Sequence, residues 1–194
     1  MHTVEGSSDS SLTPEQLIEQ AAKAGLDGVC LTEHSGGWDH GKSHRSFKNS
    51  DLVIIGGLEV ETDMGHVLVF GLHSYVSGMH NASNLRSIVN RAGGVMISAH
   101  PFRNLFNKYP NKTNLLFVPP NQTPNTAREA AKHPLFELVD DIEVANGSNT
   151  EQENQFTVDV ARHLGLSGTG GSDAHSVHGL GKCFTVFDGD IRSE

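Results

Sequence analysis

The sequence predicts an α/β fold whose sheet is mostly parallel and either open or closed into a barrel. Short apolar segments typical of buried strands recur along the 194-residue chain, and helical segments separate several of them. Histidines and carboxylates recur at the ends of these apolar segments. Because the carboxyl ends of parallel strands share one edge of a sheet, the polar residues are expected to converge into one site.

The strands and helices follow from apolar runs and from capping residues. Strands are predicted at 28–34, 51–61, 65–72, 95–101 and 140–147, and the segment 166–175 follows near the end of the chain. The first helix begins after Thr13, which caps it, with Gln16 completing a capping box, and it ends at Gly25. Further helices are predicted at 82–94, 126–132 and 150–164.

The composition predicts one globular domain over residues 1–194. Hydrophobic residues make up 36% of the chain and charged residues 19%, which is enough apolar material for a core. Residues 103–124 are rich in proline and asparagine, and they predict a long loop insertion in this domain.

The charge and the cysteines limit the possible partners and compartment. The formal net charge of −9 argues against duplex nucleic acid as a partner and is compatible with cation binding. The two cysteines, Cys30 and Cys183, are isolated, which favours a reducing cytoplasm. No signal peptide and no apolar run of 18 residues is found, so a membrane location is not expected.

The polar residues that end or begin the apolar segments form a set of nitrogen and oxygen ligands. A lone histidine at a strand end is usually structural, but a whole set at equivalent positions favours a metal site. Such a set suits zinc, iron or manganese. Its members are His34, Glu59, His66, His100, Asp173 and His175.

Seven motifs together resemble the PHP family, named for its polymerase-associated and histidinol-phosphatase domains. In chain order they are HT…SSDS (2–10), LTEH (31–34), GLEV (57–60), GHVLVFG (65–71), SAHPFR (98–103), IEVANG (142–147) and GGSDAH (170–175). They span nearly the whole chain, and it is their combination and order that are specific.

The resemblance implies a distorted seven-stranded β/α barrel that binds two or three divalent ions and hydrolyses phosphate esters. It places Glu59 as the carboxylate that bridges two ions, and Glu33 stands where the family usually has aspartate. Glu143 and Asn146 are expected to support the ligands without binding metal. The implied metal ligands are His2, Asp9, His34, Glu59, His66, His100, Asp173 and His175.

The N-terminal motif departs from the family pattern. The first histidine of the family's HxH motif has no counterpart, because Met1 directly precedes His2. The apolar strand that normally leads into this motif is also missing. We therefore expect a truncated first strand, with an unpaired sheet edge beside the site.

The expected reaction needs cationic and proton-donating side chains besides the metal ligands. Arg103 is a candidate to hold a phosphoryl group, and His178 is a candidate proton donor to the leaving oxygen. Glu33, next to His34, is expected to orient an imidazole. A further basic cluster, which could equally be solvated, comprises Lys42, His44 and Arg45.

The sequence favours a metal-dependent phosphoesterase acting on a phosphomonoester or small phosphodiester, such as a phosphorylated metabolite or short nucleotide. One alternative is a metal-dependent amide or C–N hydrolase, since other metal barrels use similar ligands. A second alternative is a catalytically degenerate accessory domain that still binds metal. The sequence leaves the substrate, the metal and the oligomeric state open.

Overall fold

The computed structural model describes residues 1–36, 38, 46–48, 50–107, 113–118, 123–189 and 191–192. Within these residues, six strands form one curled mixed sheet, a half-barrel, in the spatial order β1 to β6. The strands are β1 (Gly28–Glu33), β2 (Val53–Thr62), β3 (Gly65–Phe70), β4 (Val95–Ser98), β5 (Asp141–Asn146) and β6 (Thr169–Gly171). The α/β class predicted from the sequence is confirmed.

The helices begin and end at the capping residues that the sequence provides. They are α1 (Pro14–Ala24), α2 (Ala82–Ala92), α3 (Ala127–Ala130), a 3-10 turn (Pro134–Glu137) and α4 (Glu151–Leu164). Thr13 and Gln16 form the predicted capping box of α1, and Gly25 ends that helix with φ of 69°. No helix in the described part of the chain has both the length and the apolar character needed to cross a bilayer.

The sheet is mixed because β3 runs against both of its neighbours. The pairs β1–β2, β4–β5 and β5–β6 are parallel, whereas β3 is antiparallel to β2 and to β4. In the β2–β3 pair, His66 lies opposite Glu61 near the end of β2. The start of β3 therefore lies at the same edge as the carboxyl ends of the parallel strands.

Two clusters of buried apolar side chains support this edge. The larger cluster contains residues of β2, β3 and β4 together with the inward faces of α2 and α4. The smaller cluster contains residues of α1 and β1, with Trp38 and Phe47 packed against them. Burial of this apolar surface is the main contribution to stability.

The first three residues lie between the two edges of the sheet. The Met1 ammonium donates to Cys30 O at 3.2 Å, and Thr32 N donates to Met1 O at 3.0 Å, both in β1. On the other side, His2 N donates to Ala174 O at 3.0 Å, just beyond β6. The described residues hold six strands, not the seven expected, and the truncated first strand stays a prediction.

The described part of the predicted insertion packs against the site edge. Asn114 is buried, and its Nδ2 donates to Pro101 O at 2.8 Å and to Arg103 O at 2.9 Å. Its Oδ1 accepts from Leu116 N and Phe117 N, each at 3.0 Å. One asparagine thus fixes the insertion to the turn after β4.

Candidate metal centre

Three overlapping groups of side chains at the carboxyl edge of the sheet could each hold a metal ion. Within each group the ligand atoms lie within 4.8 Å of one another. The groups are His2–His34–His175, Glu59–His66–His100 and His2–Glu59–Asp173. His2 and Glu59 each belong to two groups, so the three form one continuous cluster.

Glu59 lies at the centre of this cluster, at the inner side of β2. Its Oε1 is 2.7 Å from His66 Nδ1 and 3.1 Å from His100 Nε2, and its Oε2 is 3.0 Å from His2 Nε2. Burial acts to raise the pKa of Glu59, but hydrogen bonds from His100, His2 and His66 outweigh burial and hold the pKa well below its usual value. The side chain is therefore a carboxylate with both oxygens directed at imidazoles.

The His2 ring is fully buried, and its Nε2 atom is left without a well-directed hydrogen bond among the described residues. This atom lies 3.0 Å from Glu59 Oε2 and 3.2 Å from Asp173 Oδ1. Burial lowers the pKa of His2, but Asp173 and Glu59 outweigh burial and leave the pKa raised. An imidazole nitrogen facing two carboxylates is a donor set that fits a divalent cation.

The rings of His34 and His175 both stack against the His2 ring in the more exposed part of the cluster. The ring centroids are 4.3 Å and 4.2 Å from that of His2. Burial and the nearby His2 lower the pKa of His34, which favours the neutral form that binds metals. Asp9 Oδ2 lies 3.3 Å from His175 Nε2 and 3.7 Å from His34 Nε2, on the solvent side.

Asp173 connects the cluster to Arg103. Burial acts to raise the pKa of Asp173, but His2 and the Arg103 guanidinium outweigh burial and hold the pKa well below its usual value. Arg103 Nη2 donates to Asp173 Oδ2 and also to Asn146 Oδ1 at 2.8 Å, while Nε donates to Asn149 Oδ1 at 3.1 Å. The guanidinium is thereby fixed at the rim of the cluster with Nη1 left unpaired among the described residues.

Glu143 is a buried carboxylate on β5 that contacts residues at the edge of the cluster. Its Oε2 accepts from His100 N and from Asn146 Nδ2, both at 2.9 Å. Burial raises the pKa of Glu143.

His100 and Asp173 have φ of 31° and 48°, a strained conformation for residues other than glycine that concentrates at functional sites.

The structure brings all eight predicted metal ligands to one edge, but it does not bring every predicted residue there. His178 is exposed on the turn after His175 and makes no hydrogen bond or ion pair with another described residue. Its role as proton donor stays a prediction. Lys42, His44 and Arg45 lie outside the described residues.

Sequence reasoning missed the hydroxyl groups beside the cluster. Ser7 Oγ lies 3.2 Å from His2 Nδ1 and donates to Glu33 Oε2 at 2.6 Å. Glu33 is expected from the sequence to orient an imidazole, and its carboxylate contacts Thr3 and Ser7 of the N-terminal loop. The serine-rich loop between His2 and Asp9 was the available signal.

Two cavities adjoin the cluster and share Arg103, Asn104 and Thr113 in their walls. The smaller, about 140 Å³, is also lined by His66 and His100. The larger, about 720 Å³, is bounded by polar side chains and one aromatic ring: Phe106, Asn107, Ser148, Thr150, Gln152 and Glu153. A substrate could therefore extend from the metal ligands past Arg103 into the larger cavity.

Two family profiles match most of the chain. The profile described as "PHP domain" matches residues 1–113, and the profile described as "PHP-associated" matches residues 151–194. The chain belongs to the PHP domain family. For a PHP domain, the clustered histidines and carboxylates are the expected place for metal ions, and a metal-dependent hydrolase is the activity class that the family supports.

Solved structures with the same fold include an inferred metal-dependent phosphoesterase from Bifidobacterium adolescentis. It shares 18% identity with this PHP domain over 95% of this chain and 90% of its own, with a TM-score of 0.63. An amidohydrolase from Chromobacterium violaceum, with bound sulfate and no metal, shares 16% identity over 90% and 86%, with a TM-score of 0.60.

A two-domain protein from Bacteroides vulgatus also shares the fold. It contains a predicted PHP-like metal-dependent phosphoesterase, and it is 21% identical over 92% of this chain and 51% of its own, with a TM-score of 0.53. The search of curated protein sequences returned no match. At these identities the solved structures establish the fold alone.

Proposed function

We propose that this PHP domain is a metal-dependent phosphoesterase with a multinuclear site, acting on a phosphomonoester or small phosphodiester. The observation that carries the proposal is the position of Glu59, whose two oxygens face different imidazoles in two adjoining ligand groups. A carboxylate placed in this way can bridge two divalent ions, the arrangement used to hydrolyse phosphate esters.

The ligand groups define where two or three divalent ions would be held. His66 and His100 complete one group with Glu59, Asp173 and His2 complete a second, and His34 and His175 form a third with His2. Manganese, zinc and iron all suit these nitrogen and oxygen ligands. When bound, such ions activate a water molecule at neutral pH and neutralise charge on the phosphoryl oxygens.

Arg103 is proposed to bind the phosphoryl group at the rim. Asp173, Asn146 and Asn149 hold its Nε and Nη2 atoms, so its guanidinium has a fixed orientation and Nη1 is available for a phosphate oxygen. Fixing the group before substrate arrives lowers the ordering cost of binding.

The larger cavity is proposed to receive the rest of the substrate. Its volume of about 720 Å³ is adequate for a small phosphorylated metabolite or a short nucleotide. Its walls offer amide and hydroxyl groups, with Phe106 as an apolar surface. A chain with net charge −9 presents a poor surface for long duplex nucleic acid.

A second candidate is amide or C–N hydrolysis, because the Chromobacterium violaceum neighbour is described as an amidohydrolase. The same ligand cluster would activate water for attack on a carbonyl carbon. The Arg103 guanidinium favours phosphoester chemistry, since its planar fork matches phosphate oxygens.

The test is hydrolysis by purified protein loaded separately with manganese, zinc or iron(II). A panel contains p-nitrophenyl phosphate, bis(p-nitrophenyl) phosphate, nucleoside monophosphates, sugar phosphates and N-acylated amino acids, each assayed with and without chelator. We expect metal-dependent release of phosphate or nitrophenol. Release from the amides alone would replace the proposal with the second candidate, and metal-loaded protein with no hydrolysis of any substrate would favour an accessory domain.

A further inference from the structure

Glu33 is a buried carboxylate that accepts four donor groups from the N-terminal loop and its surroundings. Thr3 N lies 3.1 Å from Oε1 and 3.0 Å from Oε2, and Thr3 Oγ1 donates to Oε1 at 2.5 Å. Trp38 Nε1 donates to Oε1 at 2.9 Å, and Ser7 Oγ donates to Oε2 at 2.6 Å. The carboxylate is completely buried, so these contacts fix its orientation.

Ser7 connects this carboxylate to the His2 ring. Its hydroxyl has a single hydrogen, which it donates to Glu33 Oε2. Its oxygen also accepts from His34 N at 3.1 Å, and His2 Nδ1 lies 3.2 Å from the same oxygen. Because the hydroxyl hydrogen is already used, only a hydrogen on His2 Nδ1 can complete this contact.

We propose that Glu33 acts through Ser7 as a positioning residue that holds His2 with its hydrogen on Nδ1. The lone pair of Nε2 is then available to a divalent cation between Glu59 and Asp173, which lie 3.0 Å and 3.2 Å from that atom. Metal-binding imidazoles are commonly fixed in this way by the partner of their second nitrogen. Here a serine hydroxyl stands between the imidazole and the carboxylate.

The surroundings of Glu33 predict what Glu33→Gln would do. Trp38 Nε1 can only donate, and Thr3 Oγ1 also donates to Oε1 of Glu33. The amide oxygen of the glutamine must therefore take the place of Oε1. The amide nitrogen then faces Ser7 and donates to its oxygen. The hydroxyl hydrogen turns toward His2 Nδ1, which moves the imidazole hydrogen to Nε2 and blocks the metal-binding atom.

The experiment measures the His2 tautomer and the zinc affinity of the full chain, without substrate. Long-range ¹H–¹⁵N correlation spectra identify which ring nitrogen carries hydrogen, with the His2 signals assigned by their loss in His2→Gln. Competition with a chromogenic chelator gives zinc affinity. The matched control is Ser10→Ala, because Ser10 Oγ donates to the backbone oxygen of His2 at 2.9 Å and leaves the ring untouched.

We expect the zinc-bound protein to show the hydrogen of His2 on Nδ1. In Glu33→Gln the hydrogen should lie on Nε2, so that this nitrogen no longer binds zinc, and zinc affinity should fall about ten- to a hundredfold. Ser10→Ala should change the affinity less than about threefold. If Glu33→Gln does not fold, Ser7→Ala should weaken zinc binding about tenfold and leave neither tautomer fixed. The proposal is overturned by an unchanged tautomer in the variant that folds, or by equal losses in the Ser10 control.

This inference rests on the proposed function only in taking the cluster to be a metal site. Both readouts are obtained without a phosphate ester, so a protein that binds zinc through the Nδ1–H tautomer but hydrolyses nothing would overturn the proposed function alone. A phosphoesterase with an unchanged tautomer in Glu33→Gln would overturn only the positioning role of Glu33.

Discussion

Glu59 Oε2 lies 3.0 Å from His2 Nε2, although one residue is on β2 and the other is near the start of the chain. This contact joins the ligand group around His66 and His100 to the two groups that contain His2. The three groups therefore depend on one another, and the loss of either residue affects two of them.

The first prediction concerns Glu59→Gln. The amide removes the negative charge that faces three imidazoles, so zinc or manganese occupancy should fall by more than half and hydrolysis by at least about a hundredfold. Metal content by mass spectrometry and initial rates measure these effects. Glu61→Gln is the matched control, because Glu61 is on the same strand but exposed, and it should retain both. Equal losses in both variants would contradict the assignment of Glu59.

The second prediction concerns the pH dependence of the metal-free protein. The pKa of His2 is raised above 6.5, so its contribution to stability is complete below that pH and is lost as the pH rises through the raised value. The pKa values of Glu59 and Asp173 are lowered, so their contributions are complete above about pH 4.5 and are lost at lower pH. The melting temperature in chelator should therefore be highest between about pH 4.5 and 6.5.

Bound metal should remove the decline on the alkaline side, because the cation takes the place of the proton on His2. Thermal melts across pH with and without zinc measure this. In His2→Gln, the melting temperature measured in chelator should no longer decline above about pH 6.5. A metal-free wild-type protein that is as stable at pH 8 as at pH 6 would contradict the charge state assigned to His2.

The third prediction concerns Arg103→Ala. Loss of the guanidinium should lower kcat/KM for a phosphomonoester by about 10- to 1,000-fold, equivalent to about 1.4–4 kcal/mol. The matched control is Arg86→Ala on α2, since Arg86 donates to Asp140 at 2.7 Å in a similar ion pair away from the site. Steady-state kinetics with both variants at saturating metal should show the loss only at Arg103. An equal change in both would indicate a structural effect.

The fourth prediction concerns Asn114→Ala. Its amide makes four hydrogen bonds to backbone atoms and is buried, so its loss should reduce the free energy of unfolding by about 1–3 kcal/mol. Urea denaturation measures this, and Asn90→Ala on the exposed face of α2 should change it by less than about 0.5 kcal/mol. If the Asn114 and Asn90 variants were equally stable, the insertion would not depend on this anchor.

The position of the ligands could be predicted because strand order and polarity determine it. His34 directly follows β1, His100 lies two residues beyond the end of β4, and apolar runs ending in histidine are visible in the sequence. His66 was harder to place, since it begins its strand. The antiparallel direction of β3 explains why His66 lies with the other ligands. Strand direction depends on pairing between distant segments, which local sequence patterns do not encode.

The contacts around the ligands could not be predicted in the same way. The sequence places Glu33 beside His34, yet the alternation of side chains along a strand turns Glu33 toward Thr3 and Ser7. The Arg103–Asp173 ion pair joins two loops that are distant in sequence, so only their positions on the folded sheet bring them together.

The cluster includes residues from near both ends of the sequence, which affects when it can form during biosynthesis. Glu59, His66 and His100 can come together once the first half of the chain has been synthesised. The other two groups require Asp173 or His175, so they are incomplete until almost all of these 194 residues have left the ribosome. Full metal loading therefore has to follow the emergence of His175 from the ribosome.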